Sequence, residues 1–229
     1  MEKLVYLLRR PHAQMVGAFR EELLGDTAQV IEASGARALT LNVADIDAIP
    51  ESIHMSDPQR ELGACFSIWL DTLDARGPIE ERLRSVSDGM AGYLVAESMA
   101  REYADRDWPD GTRSPGVTLT AVFPKRADLS EESFFAHWHD IHTPLSLEMH
   151  PLTRYVRDTI SRAITPGAPR YLAHVEERVR ELEDIADPLR FYGSLEAQRE
   201  AEADTARFCD VEQMRTALMS EYILQSGPQ

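Results

Sequence analysis

The stretch GVTLTAVFPKRADLSEESFFAHWHDIHTPL, residues 116–145, decides how the chain is read, because it joins two patterns of different period. Over Val117, Leu119, Ala121 and Phe123 apolar residues alternate, which marks a strand with one buried face, and Pro124 ends it. From Ser130 onward, Phe134, Trp138, Ile141 and Leu145 recur at helical spacing and form a core stripe. Pro144 is expected to bend or end this helix, since it donates no backbone hydrogen bond and crowds the preceding turn.

Working outward, the same order of elements occurs on both sides. After the helix come RYVRDTISRAI as a strand and ERVRELEDIA, whose charges suit a strand or a helix. SLEAQREAEAD is helical, and VEQMRTALMSEYILQ closes the chain as a helix-to-strand passage. The first half opens with the strand LVYLLRRP and a helix over 13–34. Strands ARALTLNVAD and ACFSIWLDTLD follow, then a helix opened by Pro78 and the strand AGYLVAES. YADRDWPDGTRSPG, residues 103–116, is dense in Asp, Gly and Pro and reads as a linker. The expected fold class is α+β: two ferredoxin-like β-α-β-β-α-β units, residues 1–105 and 117–229, joined by a linker at 106–116. A sheet with helices on one face leaves the other bare, so the two sheets are expected to pack face to face as an intramolecular barrel.

Charge and cysteine usage narrow the classes of function. The net charge is −15, from 39 acidic against 24 basic residues, and a field of that sign repels phosphate backbones, so no nucleic-acid partner is expected. No window approaches the roughly 18 uninterrupted apolar residues of a membrane span, so no membrane partner is expected either. Cys65 and Cys209 stand far apart and make neither a disulfide framework nor a zinc motif, which suits a reducing cytoplasm. The absence of GxGxxG, GxxxxGK[ST] and GxSxG removes support for nucleotide cofactors and for a serine-hydrolase elbow.

The segment FPKRADLSEESFFAHWHDIHTPL resembles the EthD-type domains of the dimeric α/β-barrel superfamily. The likeness rests on a strand ending in a lysine-containing turn, then Phe134 or Phe135, Trp138, and His142 four residues after it. FYGSLEAQREAEAD resembles the family's later aromatic-Ser-Leu-Glu-Ala segment, and the likeness spans roughly 117–225. The resemblance implies a tandem fused pair of such units with a small-molecule pocket. It also implies a cofactor-independent isomerase, cyclase, dehydratase or monooxygenase acting on an aromatic or polyketide-like compound, or a ligand-binding accessory protein. No cofactor is expected, although some relatives in the superfamily bind haem through a histidine. A homodimer of fused pairs is compatible with this pattern. The first half carries Asp26 or Thr27 where the histidine falls in the second, so its pocket is expected to be degenerate.

Four of the seven histidines lie in residues 130–151, and reading them as helical separates them. His142 falls at the edge of the core stripe beside Trp138 and Phe135, and His137 flanks the other edge. His139 is expected to face solvent, and His150 to cap the helix end. A sheltered but accessible histidine suits proton transfer, so His142 is the candidate catalytic residue; a half-buried histidine bonded to a local carbonyl is the plainer alternative. His139 and His142 lie one turn apart but have no third ligand at a metal-binding spacing, so no metal is expected. Trp138, Phe135, Tyr155, Arg157 and Tyr192 are the candidate substrate-binding residues. Tyr155 and Arg157 share one face of their strand, though Tyr155 as core and Arg157 as a surface charge explains them equally. Tyr6, Arg9, Trp69 and Tyr93 are the corresponding candidates in the first half, and His12, His54 and His174 carry no signal.

Overall fold

The computed structural model describes residues 1–46, 49, 57 and 61–227. Among the described residues, eight strands close into one antiparallel barrel in the order β1-β3-β2-β8-β5-β7-β6-β4. They are β1 Glu2–Arg9, β2 Ala38–Val43, β3 Ala64–Leu70, β4 Gly89–Arg101, β5 Val117–Phe123, β6 Arg154–Ala163, β7 Ala173–Val179 and β8 Arg215–Gln225. The helices are α1 Val16–Glu22, α2 Ala28–Ala33, α3 Arg76–Ser85, α4 Glu131–His137, α5 Thr143–Met149, α6 Glu183–Ala186, α7 Pro188–Tyr192 and α8 Leu195–Phe208. The class is α+β. The two sets of four strands meet edge to edge, through β2 against β8 and β4 against β6, so the bare faces cover each other by turning inward. Closure also removes the unpaired sheet edges.

Alternation along each strand assigns its two faces. In β5, Val117, Ala121 and Phe123 point outward into a cluster with Phe134, Trp138 and Phe208 from the helices. In β1, Leu4, Tyr6 and Leu8 do the same against Phe19, Leu23, Ile79 and Leu83. The intervening residues fill the lumen, apolar toward one end with Val5, Leu7, Tyr93, Val122 and Met219. Toward the other end the lumen carries buried charges: Lys3 Nζ lies 2.9 Å from Asp158, and Arg154 Nη1 lies 3.0 Å from Glu221. Among the described residues no helix is long and apolar enough to cross a membrane.

Several expectations shift. The strand placed at ERVRELEDIA lies earlier, at Ala173–Val179, and Glu183–Ala186 is a short helix instead. The segment read as a linker is packed on the barrel: Tyr103 Oη donates to Glu221 at 2.7 Å, Ser114 N to Glu221 O at 2.8 Å, and Trp108 Nε1 to Ser114 Oγ at 3.0 Å. The final passage reaches its strand through a turn rather than a helix. His54 lies outside the described residues.

Candidate active site

Helix α4 starts as its sequence directs. Ser130 Oγ accepts from Ser133 N at 3.0 Å, and Glu131 and Glu132 occupy the first turn, where negative charge is favoured. From Trp138 to His142 the chain then makes a π-helical turn, and the Trp138 carbonyl accepts both the Thr143 N–H and, at 2.8 Å, the Thr143 hydroxyl. The widened turn adds a residue and rotates everything after it. Ile141, expected on the core stripe, is 51% exposed, and Thr143 and Ser146 are buried in its place. Pro144, which offers no N–H, follows directly after this turn, and the helix accommodates it and continues to Met149.

The rotation brings His142 against α8. His142 Nδ1 lies 2.9 Å from Asp204 Oδ2, and His137 Nε2 lies 2.8 Å from Asp204 Oδ1. Asp204 is buried on the stripe that also carries Ala201 and Phe208. Burial opposes its charge, but hydrogen bonds from His142 and His137 outweigh this and hold the carboxyl below its ordinary range. An ionised carboxylate only accepts, so each imidazole presents an N–H to it. His142 is therefore fixed with its proton on Nδ1 and its lone pair on Nε2, 3.4 Å from Ser146 Oγ. Burial lowers the basicity of His142, and Asp204 restores part of it, so the ring is neutral near pH 7.

His142 opens on a cavity of about 390 Å³ between the outer face of the barrel and the helices, a size suited to a small organic ligand. Trp138, Tyr155, Phe191, Tyr192 and Phe208 contribute aromatic wall. Glu177, from β7, also lines it, and among the described residues no cation pairs with this carboxylate. Burial alone pushes the Glu177 carboxyl up to about 7. The Tyr192 phenol is pushed up to about 12, by burial first and then by Glu177, and Tyr155 is raised for the same two reasons. His150 lies in the wall as well: its Nδ1 donates to the Phe191 carbonyl at 3.0 Å and its ring stacks on Phe191 at 3.9 Å. It thus bonds a different helix rather than capping its own, and burial lowers it to about 4.

Of the residues singled out in the sequence, the fold brings His142, Trp138, Tyr155 and Tyr192 to this one cavity. Phe135 stands outside its wall, edge-on to Phe134 and tilted against Trp138 and His139. Arg157 is also outside and ties β6 to α5 and β4, donating to Thr143 Oγ1 and to Ser98 Oγ at 2.9 Å each. His139 does not face open solvent: its ring lies 4.8 Å from Trp138. In the first half, Tyr6 points outward and donates to the buried Glu80 at 3.2 Å, whereas Tyr93 points inward to the Pro169 carbonyl, so the four aromatic and basic candidates there do not meet. Leu23–Thr27 makes a second π-helical turn, and Thr27 accepts from Arg82 Nε at 3.1 Å where the second half has its imidazole–carboxylate pair.

Sequence reasoning missed Asp204 and Glu177. Each left a signal, as the one acidic residue on an otherwise apolar face: Ala201–Asp204–Phe208 on α8, and Val175–Glu177–Val179 on β7.

Residues 126–212 match the model of the EthD domain. The whole chain shares its fold with solved structures. An anthrone oxidase-like protein superposes with a TM-score of 0.63 at 11% identity, over 99% of this chain and 94% of that one. A protein assigned as a monooxygenase, from Lactobacillus acidophilus NCFM, gives 0.51 at 8% identity, over 98% and 96%. A mutant chlorite dismutase from Candidatus Nitrospira defluvii gives 0.52 at 11%, over 97% and 91%. A comparison with curated proteins finds no match.

Proposed function

We propose a function from the premise that residues 126–212 are an EthD domain whose pocket is the cavity at His142. The chain is read as two ferredoxin-like units, residues 1–105 and 117–229, fused into one barrel. The sheet order supports this, since β4-β1-β3-β2 and β8-β5-β7-β6 repeat one arrangement. The second unit holds the active pocket, and the first has lost its own.

The function is acid–base chemistry on a small, largely apolar, oxygenated compound of aromatic or polyketide type. One observation carries this reading: a single apolar cavity holds both a neutral imidazole, whose Nε2 meets only the Ser146 hydroxyl, and, among the described residues, an unpaired carboxyl pushed to about 7. His142 Nε2 removes a proton next to a carbonyl, and Asp204 stabilises the imidazolium that forms. Glu177 in its protonated form, with the Tyr155 or Tyr192 hydroxyl, donates hydrogen bonds to the oxygen that gains charge. Groups whose environments push their pKa values to opposite sides suit paired acid and base roles. These steps are assigned to side chains of the chain itself. The resulting enolate is the common intermediate of isomerisation, cyclisation and dehydration, and it is also a carbanion that dioxygen can attack. Haem fits the described wall poorly: His142 offers a ligand nitrogen, but neither lysine nor arginine lines the cavity to meet the propionates.

The test is turnover of anthrone, phenolic, lactone and polyketide-like compounds by the native protein and by His142→Asn. Loss of at least about 100-fold in kcat in the variant supports the base role. Unchanged turnover removes it, and binding without turnover across the panel favours an accessory ligand-binding protein.

A further inference from the structure

Inside the barrel, away from the His142 pocket, a second set of reactive side chains takes no part in the chemistry above. Cys65 of β3 and His174 and Glu176 of β7 are all buried, and one donor atom from each lies within 4.8 Å of the others. Cys65 Sγ is 3.5 Å from His174 Nε2, which is 3.8 Å from Glu176 Oε1. With a zinc–sulfur bond of about 2.3 Å and zinc–nitrogen or –oxygen bonds of about 2.1 Å, a tetrahedral ion holds neighbouring donors roughly 3.4–3.6 Å apart. The two edges already stand within a few tenths of an ångström of that geometry.

The surroundings are those of a ligand set. His174 Nδ1 is 2.8 Å from Asp158 Oδ2, an arrangement that turns Nε2 toward Cys65 and resembles the carboxylate–imidazole pairs behind bound metals. Asp158 is in turn held by Lys3 Nζ at 2.9 Å. Asn42, directly across the ladder from Cys65, donates Nδ2 to Glu176 Oε1 at 3.1 Å, and its buried Oδ1 has no hydrogen-bond partner among the described residues. The Thr120 hydroxyl, across the ladder from Glu176, is likewise buried and without a partner among the described residues. Buried orphan oxygens are rare and call for an explanation, and a missing cation is one. Charge permits the ion: Lys3, Arg154 and Arg178 face Glu97, Asp158, Glu176 and Glu221, and the fourth positive charge comes either from an imidazolium at His174 or from a divalent ion on the Cys65 thiolate.

We propose that Cys65, His174 and Glu176 bind one thiolate-preferring divalent ion, zinc in the first place, with Asn42 Oδ1 completing the set. Sulfur, imidazole and carboxylate donors in a buried, closed site fit structural zinc. Binding releases the Cys65 thiol proton, and the ion takes its place. Strands β3 and β7 are separated by three strands in either direction around the barrel, so the ion spans its diameter. It ties the first half of the chain to the second across 109 residues of sequence. The rival arrangement is an imidazolium at His174 bridging Asp158 and the Cys65 thiol with no ion present.

The test uses the full-length untagged protein from cells grown in minimal medium with added Zn²⁺ or, separately, Co²⁺, washed with chelator and gel-filtered. The expected result is close to one zinc or cobalt per chain. The cobalt form should show thiolate-to-cobalt absorption in the near ultraviolet and the visible bands of a tetrahedral ion. Cys65→Ser preserves size and should abolish the near-ultraviolet band and most of the bound metal. The zinc protein should melt roughly 10 °C above the metal-free form, the shift expected of a few kcal/mol in a chain of this size. Metal content far below one per chain from both media overturns the proposal, as does a full cobalt spectrum in Cys65→Ser. If Cys65→Ser fails to fold, the native cobalt spectrum decides alone: present it supports the site, absent it removes it.

Discussion

Replacing Glu177 by glutamine should make the protein more stable, and only above the pH at which this carboxyl ionises in the unfolded chain. In the folded chain this carboxyl titrates at about 7 rather than the ordinary 4.5, because burial leaves its charge without a cation. Below pH 4.5 it is protonated in both folded and unfolded chains, and it adds no penalty. Between pH 4.5 and 7 the unfolded chain ionises while the folded chain keeps its proton, so stability falls as pH rises. Above pH 7 both forms are ionised and the penalty is constant. That interval corresponds to at most about 3 kcal/mol. Glutamine is neutral throughout, so the stability of Glu177→Gln minus that of the native protein should grow by up to about 3 kcal/mol from pH 4 to pH 8. Denaturant unfolding followed by circular dichroism at both pH values measures it. The native protein alone does not suffice, because His150 contributes with the opposite sign. A difference that stays constant between pH 4 and pH 8, or that shrinks, refutes the reasoning and with it the acid assigned to Glu177.

His150, lowered to about 4 by burial, should lose stability for the protein as pH falls from 6.5 toward 4, and its imidazole resonances should stay those of the neutral ring from pH 8 to pH 5. Asp204→Asn removes the carboxylate that raises His142, so the His142 imidazole should titrate lower still; nitrogen-15 spectra across pH would read this, and turnover should drop by about 100-fold or more. Trp138→Ala empties a fully buried site at the junction of α4, β5 and α8, and should cost about 3–5 kcal/mol by denaturant unfolding.

Much of the fold was legible because strands and helices bury different periodicities. Val117, Ala121 and Phe123 share the helix-facing side as read, although the barrel also buries Thr118, Thr120 and Val122 on the opposite face, and the helix after Ser194 begins where its capping serine stands. His142, Trp138, Tyr155 and Tyr192 were legible as members of the site, but the helix faces were legible only up to Trp138. A helical wheel assumes about 100° per residue, and the π-helical turn at Trp138–His142 breaks that assumption, so Ile141 was placed inward and Thr143 was overlooked. Pro144 was a visible warning, but proline signals a break without saying how the chain absorbs it. Asp204 and Glu177 are distant in sequence from His142, and each was submerged in charge-rich text. Glu177 in particular was obscured by placing its strand too far along, which hid the alternation Val175–Glu177–Val179. The lumen cluster was invisible for a related reason: Cys65 and His174 become neighbours only when the barrel closes.

The central claim is that the cavity at His142 is where this chain holds its substrate. The most direct measurement is a crystal structure with a compound from the turnover panel bound. The account predicts density against Trp138, with an oxygen or an acidic carbon of the compound within hydrogen-bond reach of His142 Nε2 and an oxygen toward Glu177. A compound bound in the barrel lumen or over the first half, with the His142 cavity filled only by water, would contradict it.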